Sequence, residues 1–300
     1  MSATGLAGAL DAPLLLTDTQ ELSSAVANAI DKLNATQAYI IGGKAVISEN
    51  AEQSLKAKLG EGKVTRIAGN EAEDTSVECG KKIKEIDANA GEYAIVAMQD
   101  NFQDALSISS FAYKYHAPIF LTTSSTSNVN ERKLTSTQLE LLTSGSYANA
   151  KIFVPGGPGA LATNNIENAL GTGKSIQRIY GEGGFDTSNQ IATWFTSNGY
   201  LTGSCVVIAN GAEKPGGKDA LTGAALAGKN AGVILLSNAN SSLEATNTTT
   251  LEGTDSKNSP AYLTNNAKTI TKAYVLGGTS VSPQALITKV DNILSEAASS

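Results

Sequence analysis

The stretch NAKIFVPGGPGALA (Asn149–Ala162) joins a short apolar run to a Gly-Gly turn and then to small residues. The same pattern occurs in TQAYIIGGKAVIS (Thr36–Ser48) and in TKAYVLGGTSVS (Thr271–Ser282). The first glycines of the three turns stand 114 and 121 residues apart, far more than the roughly 20–50 residues of a solenoid repeat. The repeating unit is therefore a whole domain, and the sequence predicts an array of such domains.

The two fullest copies carry strand-forming segments that are apolar throughout, such as YAIVAM (Tyr93–Met98) and CVVIAN (Cys205–Asn210). A strand with one solvated face alternates apolar and polar residues, whereas uninterrupted apolar runs are typical of parallel sheets covered by helices on both faces. In each copy, four such strands alternate with four helical segments. The predicted fold class is therefore α/β, with a parallel sheet in each repeat.

The sequence divides into one partial repeat and two full repeats: residues 1–62, 63–175 and 176–300. Alignment of APLLLTD (Ala12–Asp18) with APIFLTT (Ala117–Thr123) places Met1 opposite Leu106, so the first repeat keeps only its last two strands. A sheet that lacks two strands has a bare edge, which natural proteins avoid. We expect upstream residues of a longer precursor, or a second copy of the chain, to complete this sheet.

Each full repeat opens with an Arg-Ile strand and a glycine, followed by an Asp-Thr-Ser helix start. Thr75 with Glu78, and Thr187 with Gln190, fit the spacing of a capping box. The sequence therefore predicts that these two threonines are the N-caps of their helices.

Composition excludes several classes of function. The 300 residues are 41% hydrophobic with a net charge of −6, which favours packed cores and argues against a broad nucleic-acid-binding face. No window approaches the roughly 18 apolar residues of a membrane span, and the N-terminal segment lacks the pattern of a signal peptide. His116 is the sole histidine, and Cys79 and Cys205 have no neighbouring metal-ligand residues. We therefore expect no catalytic residue, no metal site and no cofactor.

The motifs keep a fixed order: RIAG (Arg66–Gly69) and RIYG (Arg178–Gly181), the Asp-Ala-Leu segments at Asp104 and Asp219, and the three Gly-Gly turns. In that order they cover essentially the whole chain, which resembles the type 2 cell-wall-binding repeat family of Gram-positive surface proteins. The resemblance implies tandem Rossmann-like modules in a pseudo-threefold array. It also implies that the array holds secreted proteins non-covalently on an anionic cell-wall polymer.

This sequence departs from the family pattern at one recurring position. The Arg-Tyr pair that the family carries before the threonine is replaced by Glu73-Asp74 in one repeat and by Phe185-Asp186 in the other. One positive charge per repeat is therefore absent, which bears on how strongly an anionic polymer would bind.

The Gly-Gly turns are candidate binding sites because backbone N–H groups at the start of a helix bind phosphates and sugar hydroxyls. The expected contacts are Gly43, Gly157 and Gly278, with Lys44 beside the first. The middle turn also fits the degenerate dinucleotide fingerprint, but its sister turns do not, and Pro158 removes a donor. A tight turn that needs the backbone freedom of glycine is the simpler interpretation.

Four polar side chains accompany the predicted strand ends. Asp104 and Asp219 precede helices at the carboxyl end of a strand, and Asn101 and Asn210 stand on the same side. Open parallel sheets bind ligands in the crevice beyond these strand ends, so the four side chains are candidates to hydrogen-bond a sugar. The alternative for the two aspartates is the N-cap of the helix, and the two roles are compatible.

Arg66 and Arg178 recur at the start of the first strand of each full repeat. A repeated arginine next to a domain boundary predicts an ion pair between repeats, and the alternative is a contact with an anionic ligand.

We therefore predict a secreted cell-surface module that anchors a protein to an anionic cell-wall glycopolymer in grooves between the repeats. Nucleic acid and membrane are not expected partners. The alternative from a different class is a nucleotide- or sugar-phosphate-dependent enzyme on a doubly wound α/β fold, which requires one repeat to carry a constellation that the others lack. A third alternative is a structural surface-layer or adhesion protein.

Overall fold

The computed structural model describes residues 1–125, 127–211, 217–237 and 262–299. The strands are β1 (Ala38–Ile41), β2 (Val64–Ile67), β3 (Tyr93–Ala97), β4 (Ile119–Leu121), β5 (Lys151–Pro155), β6 (Ile176–Ile179), β7 (Cys205–Asn210), β8 (Val233–Ser237) and β9 (Lys272–Val275). The α-helices are α1 (Ala3–Ala9), α2 (Ser24–Lys32), α3 (Glu49–Leu59), α4 (Ala72–Ile86), α5 (Gln103–Ser107), α6 (Ser109–Lys114), α7 (Ser136–Thr143), α8 (Thr163–Leu170), α9 (Gly184–Ser197), α10 (Lys218–Lys229), α11 (Tyr262–Asn266) and α12 (Gln284–Ser299).

The described strands form three sheets in which every strand pair is parallel. Their strand orders are β1-β2, β4-β3-β5-β6 and β8-β7-β9. The predicted α/β class, with repeated parallel sheets, is confirmed.

The Arg-Ile strands join the sheet of the preceding repeat. Strand β2 pairs with β1, where Arg66 lies opposite Ile40, and β6 pairs with β5, where Arg178 lies opposite Val154. Strands β2 and β6, at the edges of these two sheets, therefore come from the beginning of the next predicted repeat. The pairing crosses the boundaries expected at 62/63 and 175/176, which stay predictions.

The four-stranded sheet is buried on both faces, which explains the uninterrupted apolar runs. Tyr93, Ile95 and Ala97 of β3 belong to one core, and the intervening Ala94 and Val96 belong to another. The first of these cores also contains residues of β7, β8 and α9. One apolar core is therefore shared between the second and third repeats, with α9 packed against β6 and β8.

Helices α1, α6 and α10 occupy equivalent positions in the three repeats and pack against one another. Small residues allow this contact: a Cβ atom at Gly8 would lie 1.9 Å from the Tyr113 carbonyl oxygen, and one at Gly228 would lie 2.6 Å from the Tyr113 Cβ. Each helix is followed by a residue in the left-handed region: Asp11 (φ 47°), His116 (φ 51°) and Ala231 (φ 50°). The mutual packing of these three equivalent helices is the expected pseudo-threefold arrangement.

The segment Ala12–Asp18 was expected to be a strand of the first repeat, and this prediction is wrong. No strand is assigned there, and Leu15 and Leu16 are 41% and 43% exposed. In the second repeat the matching strand β4 pairs with β3, a central strand that has no counterpart in the described first repeat. Without that neighbour, the backbone of the segment has no ladder to join.

The predicted capping boxes are also wrong. Helix α4 begins at Ala72, before Thr75, and α9 begins at Gly184, before Thr187. The hydroxyl of Thr75 instead accepts a hydrogen bond from the N–H of Gly69 at 3.0 Å, and Thr187 makes the same bond to the glycine that ends the next Arg-Ile strand at 3.1 Å. The threonine therefore ties the strand exit to the helix, and in α4 the capping box is formed instead by Glu71 and Asp74.

The sole histidine contacts a carboxylate, and both cysteines are buried. Nδ1 of His116 lies 2.7 Å from Oδ2 of Asp87. Cys79 and Cys205 are buried and free, and burial raises the pKa of the Cys79 thiol to about 11. Over the described residues, no helix combines the length and apolar character that crossing a membrane would require.

Candidate functional site

Three Gly-Gly turns lie at the carboxyl edge of the sheets and lead into α3, α8 and α12. We call them turn 1 (residues 42–48), turn 2 (156–162) and turn 3 (277–283). The first glycines of the turns have φ angles of 116°, 104° and 108°. Residues other than glycine rarely adopt these φ angles, so glycine is required at these positions for its backbone freedom. This agrees with the interpretation of the Gly-Gly pairs as tight turns.

Arg66 and Arg178 hold turns 1 and 2 in the same way. Nη1 of Arg66 donates to the Gly42 carbonyl at 2.6 Å, and Arg178 makes the matching bond in turn 2 at 2.7 Å. The other guanidinium donors meet a glutamate on the helix after the turn, Glu52 at 2.8 Å and Glu167 at 2.6 and 2.7 Å. The predicted ion pair is present and leaves these guanidinium groups little capacity for a ligand. A ligand-binding role for them stays a prediction.

Asp104 faces turn 2. This residue lies in the first turn of α5 and is only 6% exposed. A Cβ atom added at Gly156 would lie 2.6 Å from its Oδ2. Burial raises the pKa of this carboxyl to about 6, and a hydrogen bond with Thr187 offsets part of the effect. The N-cap alternative is wrong for Asp104, because α5 begins at Gln103 with Phe102 at the cap position.

Turn 3 repeats this geometry with Asp219. The carboxylate Oδ2 would lie 2.9 Å from a Cβ atom at Gly277, and Gly217 holds the cap position of α10, so Asp219 is not an N-cap either. Asn210, buried at the end of β7, donates its Nδ2–H to the Val281 carbonyl at 2.9 Å. The structure therefore brings Asp219 and Asn210 together at turn 3, with Asp219 half-buried and reaching solvent.

Asn101 lies at the junction of the second and third repeats. Its Oδ1 accepts a hydrogen bond from the N–H of Gln103 at 3.2 Å. The Gln103 side chain then crosses the junction, because its Nε2 donates to the Gly211 carbonyl at 2.6 Å and its Oε1 would lie 2.2 Å from a Cβ atom at Gly184. Gln103 was missed by sequence reasoning, since a contact between residues 108 positions apart leaves no local signal.

The three turns differ in access. Among the residues that the structure describes, a Cβ atom at Gly43 or Gly278 would meet nothing within 4 Å, so turns 1 and 3 are open with respect to them. A Cβ atom at Gly157 would lie 2.9 Å from the ring of Tyr180, which covers turn 2. The three predicted glycine contacts are therefore not equivalent.

Two exposed lysines lie at the same edge. Lys44 in turn 1 pairs with Glu49 at 3.2 Å, and both side chains are more than half exposed. Lys218 is exposed on the first turn of α10, next to Asp219. Exposed pairs of this kind contribute little stability, so these ammonium groups remain available to an incoming anion.

Arg132 is a further arginine at turn 2 that no repeated motif marks. Its Nε donates to Asp100 Oδ2 at 3.0 Å and its Nη1 donates to the Ala160 carbonyl at 3.0 Å. The segment after β4 is thereby fastened over the carboxyl end of the four-stranded sheet.

The groups at this edge are hydrogen-bond donors and acceptors. Over the described ranges, no three His, Cys, Asp or Glu side chains converge as metal ligands would. The edge offers carboxylates, two exposed lysines and backbone groups beside open glycine turns. Such a set, repeated around one axis, suits a ligand that is itself repetitive and rich in hydroxyl groups.

Two curated relatives from Bacillus subtilis (strain 168) match most of the chain. It is 30% identical to the amidase enhancer over 230 residues, which is 77% of this chain and 28% of that protein. It is 26% identical to N-acetylmuramoyl-L-alanine amidase LytC over 238 residues, which is 79% of this chain and 42% of that protein. The chain thus spans less than half the length of either relative.

Two solved structures share the fold. Cwp8 from Clostridium difficile superposes with a TM-score of 0.72 at 24% identity, over 98% of this chain and 45% of that one. Cwp6 from the same organism gives a TM-score of 0.73 at 21% identity, over 98% and 41%.

The three sets of repeated motifs match the model of a known family. The model of cell wall binding domain 2 (CWB2) matches residues 1–52, 66–167 and 178–287, one stretch for each set of repeated motifs. These matches span well over half of the sequence, so the chain belongs to the cell wall binding domain 2 family.

Proposed function

We propose that this chain is a non-catalytic module that holds a secreted protein on an anionic cell-wall glycopolymer. The polymer lies at the carboxyl edge of the sheets, in the grooves between repeats. The observation that carries the proposal is the packing of α1, α6 and α10 around one axis, because it turns equivalent sheet edges and their Gly-Gly turns into a repeated surface. A repetitive polymer meets such a surface with several weak contacts at once.

The charges available at this surface are few and local. The chain carries a net charge of −6, and the guanidinium groups of Arg66 and Arg178 are held by glutamates. Lys44 and Lys218 are exposed at the carboxyl edge, whereas the carboxyl of Asp104 at turn 2 is buried. We assign the contacts with acidic groups of the polymer to these two lysines, and the contacts with its hydroxyls to Asp219 and the open turns.

Avidity explains how so few charges suffice. When several sites of the protein bind the same polymer molecule, each contact after the first is intramolecular. Overall affinity then rises by about 10²–10⁴ without a strong individual site. The contribution of the lysines is screened as ionic strength rises, because the Debye length falls from about 10 Å at 0.1 M to about 3 Å at 1 M salt.

The test is retention on purified Gram-positive cell-wall sacculi, with and without the secondary polymer removed. We expect the chain to sediment with intact walls, to be released by about 0.5–1 M salt, and to stay in solution with stripped walls. The double variant Lys44→Ala/Lys218→Ala should weaken retention severalfold. The control Lys81→Ala/Lys272→Ala changes the charge equally at positions away from the turns. Equal retention on stripped walls, or equal loss in both double variants, would contradict the proposal.

The first repeat adds a proposal about assembly. Over the described residues, β1 has β2 on one side and no strand on the other, whereas the equivalent β5 lies between β3 and β6. A strand supplied by preceding residues of a precursor, or by a second copy, would complete this sheet. Sedimentation velocity of the 300-residue chain distinguishes the sources, since a concentration-dependent dimer favours the second copy.

A further inference from the structure

A groove of about 330 Å³ lies between the end of β6 and α9, next to turn 2. One wall is the end of β6 with Tyr180, and the other is one face of α9 with Gln190, Thr193, Trp194 and Ser197, spaced three, four and seven residues from the first. These residues line a continuous stripe because positions at that spacing share a helix face. We call this feature the edge groove, since β6 is the last strand in the order β4-β3-β5-β6.

Two aromatic rings line the edge groove, and each packs against a neighbouring residue. Tyr180 is 50% exposed, and its ring lies against Gly157 of turn 2. The indole of Trp194 stacks on Tyr200, with ring centroids 5.5 Å apart and planes 17° apart, and Nζ of Lys151 lies 5.1 Å from the indole centroid. Aromatic side chains offer a large contact area at low cost in conformational entropy, because they have only two side-chain torsions.

The remaining lining is polar and without available charge. Gln190, Thr193 and Ser197 contribute amide and hydroxyl groups, each of which donates and accepts hydrogen bonds. The one cationic lining group, the guanidinium of Arg178, is committed to Glu167 at 2.6 and 2.7 Å. An anionic ligand therefore finds no free cation in this lining, whereas a neutral ligand with an apolar face and hydroxyl edges matches both the rings and the polar groups.

A peptide strand added to the edge of β6 is disfavoured. Strand addition needs free main-chain groups along the edge, but Nε2 of Gln177 donates to the Arg178 carbonyl at 2.9 Å. A side chain that occupies an edge carbonyl blunts the edge against pairing.

The edge groove is a feature of one repeat. Alignment of the Arg-Ile motifs places Ala68 opposite Tyr180 and Lys82 opposite Trp194, so the second repeat lacks both rings at these positions. Its helix α4 carries the ion pairs Lys81–Glu78 and Lys82–Glu85 on this stretch instead. The aromatic lining therefore does not follow from the repeat pattern.

We infer that the edge groove binds a run of neutral sugar rings of the cell-wall glycan. The apolar faces of the sugars pack on Tyr180 and Trp194, and their hydroxyls bond to Gln190, Thr193 and Ser197. The source of the glycan rests on the proposed function, but no residue that lines the groove belongs to the three turns. It adds a contact that does not depend on charge.

The chain supplies its own probe, because Trp194 is the only tryptophan in the sequence. The intrinsic fluorescence of the full chain is titrated with three neutral tetrasaccharides: tetra-N-acetylchitotetraose, maltotetraose and mannotetraose. We expect a saturable change with at least one of them, insensitive to salt. Tyr180→Ala should weaken the affinity about tenfold, the size of effect typical of an aromatic contact residue, whereas Tyr180→Phe should stay close to the parent.

Two further variants complete the design. Thr193→Arg places a bulky side chain in the groove from an exposed position and should abolish the saturable change. Lys82→Ala alters the matching position of the second repeat and should leave the affinity unchanged. The inference is overturned if none of the three sugars produces a saturable change, or if the change persists in both Tyr180→Ala and Thr193→Arg.

The outcome is distinguishable from failure of the proposed function. The Lys44→Ala/Lys218→Ala variant should lose wall retention and keep the fluorescence titration. A chain that is not retained on walls but still binds a tetrasaccharide in this way would refute the anchoring proposal alone. A chain retained on walls with no sugar response would refute the edge groove alone.

Discussion

Asp104 is the buried carboxyl of the candidate site. Burial raises its pKa to about 6 from a usual value of 3.8, against the opposing hydrogen bond with Thr187. The folded protein therefore binds a proton more tightly than the unfolded chain between these two values. The contribution of Asp104 to stability is therefore largest below about pH 4, falls as pH rises towards 6, and stays lowered above that pH.

Asp104→Asn removes this titration and keeps the hydrogen-bonding shape. We expect the substitution to raise the free energy of unfolding at pH 8 by up to roughly 3 kcal/mol. This follows from about 1.4 kcal/mol for each unit by which the pKa of Asp104 is raised on folding. At pH 4 it should change little. Urea unfolding at the two pH values measures the difference, and Asp219→Asn, at the half-buried equivalent, is the control. A gain of equal size at both pH values would contradict the account.

Arg178 joins two elements through one guanidinium group. It bonds to the Gly156 carbonyl and to both carboxylate oxygens of Glu167, and these side chains are only 11% and 22% exposed. Removal of one partner leaves the other charge without compensation in a partly buried place.

We expect Arg178→Met to lower the free energy of unfolding by roughly 2–4 kcal/mol, and Glu167→Gln by less. The double variant should lose less than the sum of the two, because the residues act as a pair. Lys44→Met, which breaks an exposed pair, should cost no more than about 0.5 kcal/mol. Additive losses in the double-mutant cycle would show that the pair is not coupled.

At the scale of elements, the serine of the Asp-Thr-Ser start links a helix to the sheet beside it. In α9, Oγ of Ser188 accepts a hydrogen bond from the N–H of Leu236 in β8 at 3.1 Å, and Ser76 of α4 does the same for Leu121 in β4 at 3.2 Å. All four residues are buried. A buried N–H that loses its acceptor costs about 1–3 kcal/mol.

Ser188→Ala should therefore destabilise the chain by about that amount. It should also speed hydrogen exchange at the Leu236 amide relative to other amides of β8. Ser54→Ala is the matched control, because the hydroxyl of Ser54 bonds within its own helix and is exposed. Unchanged protection at Leu236 would mean that the hydroxyl does not hold the strand.

The strand pattern was predictable because burial on both faces imposes continuous apolar runs, as in β3 and β7. The start of α4 was not, because the hydroxyl of Thr75 bonds to Gly69 and takes the threonine out of the cap position. The glycine requirement at the turns is local and follows from φ. The covering of Gly157 by Tyr180 depends on how β6 lies beside β5, and no spacing in the sequence encodes it.

At the scale of the whole molecule, the repeats are neither independent nor equal. The core around Phe111 and Phe153 also contains Phe195 of α9 and Val206 of β7. The rings of Phe111, Phe153 and Phe195 contact one another, and the centroids of Phe111 and Phe195 are only 4.4 Å apart. A division of the chain at residue 175 would remove β6 from the four-stranded sheet and α9 from this core.

We therefore expect residues 1–175, produced alone, to lack a cooperative unfolding transition, whereas the full chain should show one transition for the second and third repeats. The physical reason is that burial of apolar area supplies most of the stability, and this area is shared across the boundary. Circular dichroism during thermal unfolding measures both, and near-ultraviolet signals report on the aromatic core. Extension of the fragment to residue 199 restores β6 and α9 and should recover part of the transition. A fragment of 175 residues as stable as the full chain would show that the array consists of separable domains, and the proposed contact of several sheet edges with one polymer would then have no shared frame.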